Sequence, residues 1–313
     1  MKSLTKKNNF LYLAMLAFIF ISSTAIAVSG DIPEPIKQLI SPPKLEARIF
    51  PPLPVLAADS SFPILSAQGV LAVDLSSGIP LYEKNSDAIL LPASTTKIIT
   101  ALVALETFPL NQIMTVPNGI RVDGQKMGLY PGEQLKVEDI LYGLLVYSAN
   151  DAAETLAINY PGGYDAFISA MNKKAIDLSM KNTHFENPVG LDGTNQKSTA
   201  KDLVRASEVA MRNPEFAKIV GTKTITVTDV TGKSKYYLKN INELLGSVPG
   251  VLGVKTGWTE NARENLVTYV DRDGHKVMIA LLGSQDRFGE TKELINWIFE
   301  NYKWQEVKYP PQD

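Results

Sequence analysis

The residues best suited to chemistry fall in three short strings, Ser94-Thr95-Thr96-Lys97, Ser148-Ala149-Asn150 and Lys255-Thr256-Gly257. A serine hydroxyl needs a base before it attacks a carbonyl, and a lysine three residues further along a helix can be that base once it is uncharged. A second serine beside an amide can relay a proton and hold a substrate, while a lysine and threonine at a strand end can anchor a carboxylate. Taken in this order the strings describe serine acyl transfer without histidine. The chain has two histidines, His184 and His275, and no cysteine, which leaves little material for a Ser-His-Asp triad, thiolate chemistry or a zinc centre. Both histidines read as ordinary surface or turn residues.

The spacing S-x-x-K also occurs at Ser3, Ser41 and Ser198, so context must separate them. Ser94 follows Leu91-Pro92-Ala93 and precedes Ile98, Ile99, Ala101, Leu102, Val103, Ala104 and Leu105, the start of a helix apolar on most faces and therefore buried. Lys97 then sits near the positive end of the helix dipole. Dipole and burial both push an ammonium toward the neutral amine that could accept a serine proton. The plainer alternatives are a lysine snorkelling from a helix end, Asn150 capping the next helix, and a strand ending in a polar turn at 255–257. Each competes in isolation; the joint occurrence favours chemistry. Gly257 is expected to let a substrate backbone approach the sheet edge.

These strings need elements to carry them. Strands are expected over 69–74 and 80–83, around Ser76-Ser77-Gly78, and later over 222–228, 251–256, 266–270 and 276–282. Asp271-Arg272-Asp273-Gly274 joins the last two as an antiparallel hairpin. Apolar spacing without internal proline predicts helices over 95–106, 137–147, 151–159, 164–180 and 199–211, with a closing helix over 289–302. Strands at both ends with helices between give an α+β fold, an antiparallel sheet completed by distant segments with a helical lobe inserted.

The 313 residues suffice for one large or two modest domains, and 45% apolar content suits a buried core. A net charge of -2 gives no reason to expect a nucleic-acid partner. Lys2, Lys6 and Lys7, an apolar run over 10–21 and Ala25-Ile26-Ala27 read as an export element, removed as a signal peptide or retained as an anchor and membrane tether. The expected organisation is 1–27 signal or anchor, 28–62 proline-rich linker, 63–304 catalytic domain and 305–313 tail. Localisation would be extracytoplasmic, in a periplasm or at a cell surface.

The chain resembles the low-molecular-weight penicillin-binding proteins of the serine D-alanyl-D-alanine carboxypeptidase type over roughly 66–304. The resemblance is carried by Pro92-Ala93-Ser94-Thr95-Thr96-Lys97, Asn150-Asp151-Ala152, Asn187-Pro188-Val189-Gly190-Leu191, Ser198-Thr199-Ala200 and Gly253-Val254-Lys255-Thr256-Gly257. It implies the penicillin-recognising transpeptidase or β-lactamase-like fold, with peptidoglycan stem peptide as substrate and β-lactam antibiotics as covalent inhibitors. By the same resemblance Ser94 is the nucleophile and Lys97 its base, Ser148 relays a proton to the leaving D-alanine, and Asn150 holds the substrate amide and orients Lys97. Lys255 and Thr256 would bind the terminal carboxylate, and the amides of Ser94 and Trp258 would form the oxyanion hole. No metal or organic cofactor is implied. Ala149 and Arg263 stand where the family usually has glycine. Two other readings share these residues: a serine β-lactamase, for which Glu186 would be the extra acid, and a non-catalytic cell-wall-binding module on the same fold. Asn187-Pro188 after Glu186 favours an ordinary solvated glutamate.

Overall fold

The computed structural model describes residues 51–120 and 122–307. Its chain enters on a short strand β1 (Leu53–Leu56) and forms the hairpin β2 (Gly69–Asp74) and β3 (Pro80–Lys84). A 3-10 turn, Ala93–Thr96, leads into α1 (Lys97–Thr107). After the small ribbon β4 (Ile113–Thr115) and β5 (Gln134–Lys136) come α2 (Val137–Val146), α3 (Asn150–Ile158) and α4 (Gly163–Asp177). Helices α5 (Ala200–Met211) and α6 (Pro214–Val220) precede a second ribbon, β6 (Thr224–Thr228) with β7 (Lys235–Lys239). Three long strands, β8 (Val251–Thr259), β9 (Arg263–Arg272) and β10 (His275–Ser284), then α7 (Arg287–Asn301) and β11 (Tyr302–Gln305), close the body.

The main sheet is antiparallel in the order β3-β2-β10-β9-β8, so strands from both ends of the sequence meet in it, as expected. Side chains alternate between its faces. Along β10, Val277, Ile279 and Leu281 join Leu294, Ile295 and Ile298 of α7, while Met278, Ala280 and Leu282 join the core of the helical lobe. Burial on both faces explains why this strand reads as an unbroken apolar run. The β9–β10 hairpin turns on Asp273 (φ 54°) and Gly274 (φ 81°), the left-handed pair that a two-residue hairpin demands.

Three expectations on organisation shift. The proline-rich segment joins the fold before residue 62, because β1 pairs antiparallel with β11, Pro54 opposite Trp304. A two-stranded ribbon has free edges, where a residue without an N–H is tolerated. Gln305, expected in a tail, is the last residue of β11 and pairs with Leu53. Beyond 199–211, α6 and β7 extend the lobe where no element was expected. The export element and most of the linker lie outside the described residues; no helix among those described is long and apolar enough to cross a membrane.

The fold leaves β8 as an edge strand of the sheet, beside the turn that begins α1. Eight consecutive residues of α1, Lys97 to Ala104, are buried, which confirms it as a core helix starting at the nucleophile string. The strings thus converge: one at the start of α1, one between α2 and α3, one on the sheet edge.

Candidate active site

Ala93 adopts a left-handed backbone (φ 47°) immediately before Ser94, a conformation costly for a residue with a Cβ. Gly190 makes room for it: a Cβ there would lie 1.9 Å from the Ala93 carbonyl oxygen. Gly257 does the same from the sheet, where a Cβ would lie 2.9 Å from the Ser94 nitrogen. The glycine of the third string therefore accommodates the protein's own nucleophile turn, whereas the sequence suggested a substrate backbone. Because helices leave their first N–H groups without an internal acceptor, the Ser94 amide is available beside the residue that precedes Trp258.

The Lys97 Nζ lies 3.0 Å from Ser94 Oγ and donates to the Val189 carbonyl at 2.7 Å. Lys97 is fully buried, and burial pulls its pKa down to about 7, although the carboxylates of Glu154 and Asp151 favour its charge. A neutral amine with one N–H on Val189 can turn its lone pair to the serine hydroxyl. Asn150, expected to orient Lys97, makes no hydrogen bond to it among the described residues; the Val189 carbonyl does. Asn187 explains how: its Oδ1 accepts from the amides of Val189, Gly190 and Leu191, and the same loop offers the Pro188 carbonyl to Thr100 Oγ1. The Asn-Pro-Val-Gly-Leu string is thus a clamp on the start of α1.

In the same site, Lys255 Nζ donates to Ser148 Oγ at 2.8 Å and to the Thr256 carbonyl at 2.9 Å. Burial pushes its pKa well down, and the nearby cations Lys97 and Arg287 push the same way. A neutral amine has two N–H bonds, and both are used. Ser148 keeps its own proton free to donate into the cleft, from a backbone at φ 63°. Asn150 does not cap α3; it is the first residue of that helix, its Nδ2 donates to the Asp123 carbonyl at 2.5 Å, and its buried Oδ1 has no partner among the described residues. Ser94, Ser148, Asn150, Thr256, Gly257 and Trp258 all line one cleft of about 640 Å³.

A family profile described as D-alanyl-D-alanine carboxypeptidase, peptidase family S11, matches residues 57–286. The chain belongs to that family. It is 31% identical over 246 residues to the D-alanyl-D-alanine carboxypeptidase DacF of Bacillus subtilis, covering 76% of this chain and 63% of that protein. A D-alanyl-D-alanine carboxypeptidase of Mycobacterium tuberculosis is 35% identical, covering 74% of this chain and 82% of the relative. A D-alanyl-D-alanine endopeptidase of Pseudomonas aeruginosa is 33% identical over 75% and 77%. The crystal structure of the Streptomyces K15 DD-transpeptidase superposes with a TM-score of 0.71 at 32% identity, over 77% of this chain and 99% of that one. The antiparallel sheet with its helical lobe is therefore the DD-peptidase fold.

Several features of this S11 site were not legible as spacing. Arg287, thirty residues beyond Gly257, lines the cleft and donates through Nη1 to the Gly257 carbonyl at 2.9 Å. Lys255, expected to meet a carboxylate directly, is 1% exposed and is not among the residues that line the cleft, whereas Thr256 and Arg287 are. Glu154, on the face of α3 toward Lys97, has its pKa pushed up to about 7 by burial, with Lys97 opposing. Ala149 sits at φ -65°, where nothing requires glycine. Arg263 sits at φ 57°, so this position does take the left-handed conformation that glycine favours, and arginine bears the strain. Glu186 does not line the cleft: its amide donates to Gln196 Oε1 and its carboxylate accepts from Asn195 Nδ2. That removes the acid a β-lactamase reading would need.

Proposed function

We propose that this S11 chain is a DD-carboxypeptidase that removes the terminal D-alanine of peptidoglycan stem peptides through an acyl-enzyme on Ser94. The observation that carries the reading is the pairing of two buried lysines with two serines that line one cleft, Lys97 with Ser94 at 3.0 Å and Lys255 with Ser148 at 2.8 Å.

Each group has a step. Neutral Lys97 takes the Ser94 proton as Oγ attacks the carbonyl of the penultimate D-alanine. The developing oxyanion is received by the amides of Ser94 and Trp258. Ser148, held from behind by Lys255, donates its proton to the departing amine and regains one from the Lys97 ammonium, which leaves Lys97 neutral again, while Asn150 Oδ1 accepts from a substrate amide N–H. Thr256 and Arg287 hold the terminal carboxylate, whose negative charge favours the protonated form of Lys255 behind them. Water then attacks the ester, with Lys97 again as base, and releases the peptide shortened by one residue. β-Lactams acylate the same serine. The chain acts outside the cytoplasm, exported through its first 27 residues, which also supply a membrane tether if they are retained.

The test is D-alanine release from an Nα-acylated peptide ending in D-alanyl-D-alanine, measured beside penicillin turnover. Release of D-alanine with slow penicillin turnover is expected. Rapid penicillin hydrolysis without D-alanine release would overturn the reading in favour of a β-lactamase, and no Ser94-dependent penicillin adduct would favour a binding module.

A further inference from the structure

The segment from Asp123 to Leu129 is a strap with space on both sides. Gly124 and Gln125 line the catalytic cleft, while Asp123, Lys126, Gly128 and Leu129 line a second cavity of about 570 Å³. Its apolar hold comes from Met127 and Leu129, both packed against the core, Met127 against the flat surface left by Gly143 on α2, where a Cβ would lie 2.4 Å from the methionine sulfur. The rest of its hold is polar and comes from two adjacent residues at the start of α3.

Asn150 takes one part: its backbone N–H donates to the Gln125 carbonyl at 2.7 Å and its Nδ2 to the Asp123 carbonyl. Asp151 takes the other. Its buried carboxylate accepts from the amides of Met127, Gly128 and Leu129 at 3.1, 2.8 and 3.0 Å, and from the Ala152 amide at 3.0 Å. No cation within salt-bridge distance neutralises it among the described residues; backbone dipoles do. Such charge-assisted bonds are stronger than neutral ones and are expensive to break when buried.

Among the described residues the Asp123 carbonyl is the only hydrogen-bond partner of the Asn150 side chain, and it fixes which way that amide faces. With Nδ2 on the strap, Oδ1 is left unpaired, in a residue 95% buried that lines the cleft. We propose that Asp151 is a positioning residue for Asn150: by clamping the 127–129 backbone it fixes the strap whose Asp123 carbonyl aims Asn150 Oδ1 at a substrate amide N–H. The proposal rests on the reading of Asn150 as the amide acceptor, and Asp151 touches no reacting atom. It gives Asp151 a selective role, since only ligands with an amide N–H at that point should register its loss.

Two β-lactams separate this from simple destabilisation: benzylpenicillin, which carries a 6-acylamino group, and penicillanic acid, the same bicycle without it. Acylation rates of Ser94 are compared for wild type, Asn150→Ala, Asp151→Ala and Asp151→Asn, at a pH well above 7 so that Lys97 is neutral in all four. The asparagine variant is isosteric and opposes its amide nitrogen to backbone N–H donors, so it interrogates the clamp even if the alanine variant does not fold. The expected result is a loss of about tenfold with benzylpenicillin in all three variants. Penicillanic acid should change little. Selective loss in Asn150→Ala but equal losses with both compounds in the Asp151 variants would overturn this proposal alone. No selective loss in Asn150→Ala itself would overturn the reading of Asn150 on which it rests.

Discussion

Lys97 and Lys255 lie behind one cleft, both buried, both beside a serine that lines it, and both pushed toward the neutral amine by burial. Their neighbours divide them. Lys97 looks toward the carboxylates of Glu154 and Asp151, which return part of its basicity and leave its pKa near 7, the range in which a base is neutral often enough and still able to bind a proton. Lys255 looks toward Lys97 and Arg287, which depress it further. One is tuned to exchange a proton at neutral pH; the other stays a neutral donor to Ser148 until an anion arrives. Equal burial gives unequal chemistry because carboxylates stand near Lys97 and cations near Lys255.

The contrast can be broken at several points. Ser94→Ala should abolish covalent labelling by penicillin, a loss of about 10^6-fold for a nucleophile, read by intact mass. Lys97→Ala should slow acylation by about 10^2 to 10^4-fold while leaving non-covalent capture of the peptide nearly intact. Lys255→Ala should instead affect both capture and acylation, by roughly ten- to hundredfold, in a KM and kcat comparison; an effect confined to kcat would erase the distinction between the two lysines. Glu154→Gln removes an anion that favours the ammonium, so Lys97 should lose its proton more easily and the acid limb of the pH profile should move to lower pH. A shift upward would contradict the electrostatics. Smallest of all, Arg263→Gly, outside the cleft lining, should relieve the left-handed strain and change stability by about 1 kcal/mol or less in a denaturant titration, with acylation unaltered.

Much of this molecule could be read before its structure, for physical reasons that differ by element. The strands at 69–74 and 276–282 were visible because alternation or a continuous apolar run records burial directly, and Asp273-Gly274 records a turn. The strings at 94–97, 148–150 and 255–257 were visible because their residue types are out of place for stability alone. Helix α6 was missed although Asn213-Pro214 is a start signal, with Asn213 Oδ1 accepting from Glu215 and Phe216. Strand β7 was missed although Leu238 is buried between exposed Tyr237 and Lys239 and Gly232 marks the preceding turn. Val189 could not be found by residue type, since it acts through its carbonyl. Arg287 and Glu154 are charged residues whose role comes only from what the fold brings near them.

The base assignment is tested most directly by the pH dependence of penicillin acylation, followed by intact mass, in wild type and Lys97→Gln. Labelling in the wild type should rise with pH through an inflection near 7, and the variant should label slowly with that inflection gone. The same inflection surviving in Lys97→Gln would mean that another group removes the Ser94 proton.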